Sequence, residues 1–106
     1  MELEWVPSAC TLPTADRPLR VAEFDALFAT ATSAERVAPG ELRFALPPEV
    51  AGTAAALAAR ETGCCSFFTF TLTLTAGELT LGVSVGEQHV EVLDALAARA
   101  VSGVAP

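Results

Sequence analysis

From Phe67 to Val85 the chain reads FFTFTLTLTAGELTLGVSV. Phe68, Phe70, Leu72 and Leu74 recur at every second position and threonines fill most of the positions between, which is the period of a half-buried strand. Pairing Thr75 with Glu78 across Ala76-Gly77 sets Leu74 opposite Leu79, Leu72 opposite Leu81, Phe70 opposite Val83 and Phe68 opposite Val85. A slip of one residue would turn one strand's apolar set to solvent, so the pattern specifies the register. Alanine is not the residue that a primed two-residue turn prefers, and the apolar pattern outweighs it.

The same reading extends along the chain. Glu2–Val6 alternates, with Leu3 and Trp5 on one face, and predicts a short strand. Between Pro7 and Pro18 three prolines, with Ser8, Thr11, Thr14 and Asp16, predict an extended connection that carries Cys10. A helix is expected from Pro18 to about Thr32, since Val21, Phe24, Leu27, Phe28 and Ala31 share helical spacing. After the Pro39-Gly40 turn signal, Glu41–Leu46 alternates with Leu42, Phe44 and Leu46 inward, a second strand.

Pro47-Pro48-Glu49 suits the first turn of a second helix, with Val50, Ala54, Leu57 and Ala58 as its buried stripe. Gly63 is expected to end that helix in the left-handed conformation. A last helix from about Glu87 to Val101 buries Val92, Leu93, Leu96 and Ala100, and SGVAP follows as a frayed tail. VEVLDALAARA in that helix parallels VAEFDALFATA in the first, which two amphipathic helices under one packing requirement explain as well as a duplication does. The elements predict an α+β fold in the order β-α-β-α-β-β-α, a mostly antiparallel sheet covered by helices.

At 106 residues the chain fits a single domain, 1–106, with one core. Apolar residues make up 52% and charged residues 18%, a globular composition. Thirteen carboxylates against six arginines and no lysine give a formal charge of −7. That balance disfavours a nucleic-acid backbone or an anionic lipid surface as partner. No apolar run reaches membrane-span length and MELEWVPSAC begins with acids, so a cytoplasmic location is expected.

Cys10, Cys64 and Cys65 are the three cysteines. An odd number in a reducing compartment points to free thiols, metal ligands or redox chemistry. Cys64 and Cys65 follow a predicted helix C-terminus, whose partial negative charge opposes a thiolate nucleophile and favours a cation. Arg60 could offset that charge, and His89 could supply a base only if the last helix begins beside the hairpin's far end. A soft ion held by Cys64 and Cys65, with Cys10 as a third sulfur, belongs to the Cu(I), Zn(II), Hg(II) or As(III) class.

Glu61 is a candidate oxygen ligand or proton donor, and His89 a candidate nitrogen ligand. Each has a plainer alternative. Free cysteine is often packed as a small hydrophobe, His89 caps or packs, Asp25 and Asp94 are solvated or paired, and Phe67, Phe68 and Phe70 are core.

GCCSFFTF resembles the region of organomercurial lyases around their second catalytic cysteine, and FDALFATA resembles the Asp-x-Leu-Phe helix of the same family. The two patches cover under a quarter of the chain. They also resemble small uncharacterised proteins with a Cys-Cys-Phe motif that accompany mercury-type resistance regulators. In the lyases two thiolates grip mercury while an aspartate delivers the proton that breaks the carbon–mercury bond. The resemblance therefore implies a catalytic role for Cys64 and proton delivery by Asp25. Where the family carries its first cysteine, three positions before the aspartate, this chain has Ala22, and its aspartate-to-cysteine spacing is much shorter. Three expectations result: a thiol protein that binds a thiophilic metal or metalloid ion, a lyase-like enzyme, or a non-catalytic interaction domain that self-associates as a homodimer.

Overall fold

The computed structural model describes residues 17–64 and 67–103. The strand expected at Glu2–Val6, the proline-rich connection with Cys10, and the last three residues of the tail lie outside them. Seven elements follow in order: α1 (Arg17–Phe28), β1 (Ser33–Ala38), β2 (Glu41–Leu46), α2 (Ala51–Cys64), β3 (Thr69–Thr75), β4 (Glu78–Ser84) and α3 (Val90–Gly103). The fold is α+β, as the patterning predicts, with the four strands in one antiparallel sheet of order β1-β2-β4-β3. That order is a palindrome of two hairpins, β1-β2 and β3-β4, joined through their second strands.

The expected hairpin register is observed. Thr75 pairs with Glu78, Leu74 with Leu79, Leu72 with Leu81 and Phe70 with Val83, and the ladder ends at Thr69 and Ser84, one pair short of Phe68 and Val85. Ala76 (φ 53°) and Gly77 (φ 78°) both take positive φ, the requirement of a type I′ turn, whose twist matches that of the flanking strands.

One strand has no counterpart in the sequence reading. Ser33–Ala38, SAERVA, is exposed along nearly all its length, with only Ala34 half-buried, so it carries no apolar alternation to detect. Its place comes from pairing with β2, where Ala34 meets Phe44 and Arg36 meets Leu42. The first helix stops at Phe28 instead of about Thr32, four residues before this strand begins at Ser33. There the Thr30 hydroxyl and backbone N–H both donate to the Leu27 carbonyl, at 2.7 and 3.0 Å. A threonine bonded back in this way competes with the helical ladder. The Thr32 N–H then donates to the Ala45 carbonyl at 2.9 Å and begins the strand.

Pro47 precedes a 3-10 turn, Pro48–Val50, that leads into α2, and a second 3-10 turn, Glu87–His89, leads into α3. Gly63 does not end α2 in the left-handed region. The helix runs through it to Cys64, and Gly77 is the only positive-φ glycine among the described residues.

Helices and sheet share one core. Phe24, Leu27 and Phe28 of α1, Leu57 of α2, and Leu93 and Leu96 of α3 pack over Leu42, Phe44 and Leu46 of β2 and Leu79, Leu81 and Val83 of β4. Burying each leucine or phenylalanine contributes about 1.5–3 kcal/mol. The other sheet face carries small and polar residues: Thr69, Thr71, Thr73 and Thr75 of β3, Thr80 and Ser84 of β4, and Glu41 and Arg43 of β2. Among the described residues no helix is long and apolar enough to cross a membrane.

Candidate functional site

The junction between α2 and β3 carries the adjacent cysteines. Because α2 continues to Cys64, that residue belongs to the helix's final turn, where unsatisfied carbonyls concentrate a partial charge of roughly −0.5. The Cys64 side chain, Cys65 and Cys10 lie outside what the structure describes. The residues on either side of the pair are described.

On the helix side, Glu61 is fully buried, at 0% exposure, and is the one polar or charged residue among the described ones that is buried. Ala54, Leu57 and Glu61 follow helical spacing, so the carboxylate continues the stripe that α2 turns to the core. Its neighbour Arg60 points elsewhere: Nη2 lies 2.9 Å from Oε2 of Glu23 on α1. That exposed ion pair ties α1 to α2, and it engages the cation that could have offset the negative end of α2.

On the strand side, Phe67 stacks on His89, with ring centroids 4.2 Å apart and planes inclined by 20°. The imidazole is half-buried, held where the 3-10 turn meets α3 by its backbone N–H, which donates to the Gly86 carbonyl at 3.0 Å. His89 therefore packs, as its plainer alternative states, and it does so beside the junction. Phe67, on which the imidazole stacks, is three residues beyond Cys64 in the chain.

The stack continues inward. Phe67 lies 4.8 Å from Phe68, Phe68 5.6 Å from Phe70, and Phe70 6.2 Å from Phe24. Phe24 then lies 5.8 Å from Phe28, and Phe28 4.6 Å from Phe44. Offset and tilted ring pairs at such separations each contribute beyond area burial. The junction is thus anchored at one end of an aromatic chain that crosses the core.

Asp25 and Asp94 are both paired. Arg99 of α3 grips both Asp25 oxygens, with Nε 2.9 Å from Oδ1 and Nη2 2.9 Å from Oδ2. Asp94 of α3 accepts from Arg36 Nη2 on β1 at 2.7 Å. Asp25 therefore serves as a tie between α1 and α3. Ala22, at the position of the lyases' first cysteine, is exposed on α1.

Two relationships escaped the sequence reading: the Phe67–His89 stack and the Asp25–Arg99 pair. Both join residues far apart in the chain, where helical or strand periodicity carries no signal. Among the described residues no three of His, Cys, Asp and Glu gather closely enough to hold a metal ion; the three thiols are not in that set. Comparisons with protein-family models, with curated proteins and with solved structures return no match to this chain.

Proposed function

We propose that the α2–β3 junction binds a thiophilic metal or metalloid ion, of the Hg(II), As(III), Cu(I) or Zn(II) class, through Cys64 and Cys65, with Cys10 as a third sulfur. The observation that carries this reading is the end of α2 at Cys64, with Arg60 drawn away to Glu23. A helix C-terminus favours a bound positive charge and disfavours a free thiolate, and a coordinated ion deprotonates its thiols outright. Glu61, one turn before Cys64, and His89, stacked on Phe67, supply oxygen and nitrogen donors near the same stretch. Sulfur-dominated ligation selects soft ions over Mg(II) or Ca(II).

Titrating the reduced chain with each of the four ions, while counting free thiols and following Trp5 fluorescence, tests the reading. One ion per chain is expected, with protons released on binding, and Cys64→Ser abolishes uptake. His89→Ala weakens it several-fold by removing the ring beside the junction. Slow, unsaturable thiol modification with no defined stoichiometry would overturn the proposal. Release of the organic product from an organomercurial would replace it with the lyase reading.

A further inference from the structure

Among the described residues, the two edges of the sheet are built differently. β1 forms one edge and carries Glu35 and Arg36, a register break between Arg36 and Ala38, and Pro39 just beyond. Charge, irregularity and proline are the devices that keep an edge from pairing with another chain. β3 forms the other edge, TFTLTLT, and has none of them: its register with β4 is unbroken over seven residues. No charged residue occurs anywhere from 62 to 77, in a chain whose net charge is −7. This longest uncharged run of the chain, where two copies would meet without mutual repulsion, includes a strand edge that the described residues leave open.

Side chains agree with the backbone. Leu74 is 61% exposed, and Phe70 and Leu72 are half-buried, so the apolar row of β3 is only partly covered by its own chain. Thr75 and Glu78 close the two-residue turn as a hydrogen-bonded pair, and bonding pairs alternate along an antiparallel ladder. The N–H and C=O groups of Phe70, Leu72 and Leu74 therefore point away from β4.

We infer that this edge is a self-association surface. Two copies join β3 to β3 antiparallel about a two-fold axis at Leu72, extending the sheet from four strands to eight. In that register Leu72 meets its own copy, Phe70 meets the second copy's Leu74, and Thr71 meets the second copy's Thr73. Every outward N–H and C=O finds an outward partner, apolar residues face apolar residues, and threonines face threonines. This self-complementarity is what an isologous dimer demands. A single strand pair buries less than the roughly 1,000 Å² of a stable interface, so the dimer is weak and concentration-dependent. The inference goes beyond ion binding and does not rest on it.

Sedimentation of the full chain across a wide concentration range tests it, together with hydrogen exchange. The mass should rise toward twice the 10.9 kDa of one chain, and protection of the Phe70, Leu72 and Leu74 amides should rise with it. Thr71→Lys with Thr73→Lys, both at exposed positions, sets like charges opposite each other and raises the dissociation constant roughly tenfold or more. Mixing that variant with the Thr71→Glu, Thr73→Glu variant restores association, which a merely misfolded chain cannot do. A monomer at all concentrations overturns the inference, as does a dimer indifferent to the lysines. Amides protected in a monomer at every concentration overturn it too, because the edge is then covered within the chain.

Discussion

Asp25 on α1 and Arg99 on α3 meet side-on, both carboxylate oxygens held by one guanidinium, and this contact joins the helices at either end of the described chain. Planar two-pronged pairing is the stronger form of ion pair, but the side chains are 40% and 35% exposed, and solvent screening reduces its worth. Asp25→Asn should therefore lower unfolding stability by only about 0.5–1 kcal/mol, read as a small shift in urea midpoint. Ion uptake at the junction should stay unchanged. A large loss of uptake would instead give Asp25 a place in the chemistry, as the lyase resemblance implies.

Glu61 makes the opposite case, a carboxylate buried completely in the core-facing stripe of α2. Glu61→Ala removes a packed side chain from the interior, and the cavity and lost contacts should cost about 2–4 kcal/mol. Glu61→Gln retains the shape and should cost less than half of that in the same denaturation experiment. If the carboxylate oxygen serves the bound ion, Glu61→Gln weakens uptake while the fold persists; equal uptake by both proteins would confine Glu61 to packing.

These residues also mark how far sequence alone reaches. The β3-β4 hairpin was legible to the residue because its two apolar rows match only in one register. β2 and the cores of all three helices were legible for the same reason: each has a buried face with a fixed period. β1 was not, because an exposed edge strand has no buried face and exists through its pairing with β2. Gly63 departs from the expected left-handed helix end because glycine permits that conformation without requiring it, and here α2 continues one residue further. At the junction, the chain order of Glu61, Cys64 and Cys65 was legible. The stacking of His89 on Phe67 was not, since it depends on how α3 returns to the sheet.

Gly40 shows a glycine required by space. Its carbonyl accepts from the Val85 N–H at 2.9 Å, and a Cβ built on it would lie 2.8 Å from the Val85 carbonyl oxygen. The obstacle is backbone, which cannot rotate aside as a flexible side chain would. Gly40→Ala should destabilise by about 1–3 kcal/mol, in the range of overpacking substitutions, and loosen the end of the β2-β4 ladder. Gly52 provides the control: a Cβ there meets nothing within 4 Å, and Gly52→Ala in α2 should raise stability by up to about 1 kcal/mol.

Ala76 occupies the left-handed region at φ 53°, the one non-glycine among the described residues to do so. For an L-residue with a Cβ and no local hydrogen-bonding side chain, that conformation costs about 1–2 kcal/mol. The hairpin tolerates the cost because the matched pairs from Leu74–Leu79 to Phe70–Val83 leave no other register that keeps both apolar rows on one face. Ala76→Asn converts the turn to Asn-Gly, the dipeptide best suited to positive φ at both central positions. It should raise stability by about 1 kcal/mol in urea unfolding. Ala76→Gly should gain less, since the unfolded chain becomes more flexible as the strain is relieved. Both variants should leave the amide-exchange pattern of β4 unchanged. If neither stabilises, the turn does not hold Ala76 in the left-handed region in solution, and the two-residue connection between β3 and β4 is of another type.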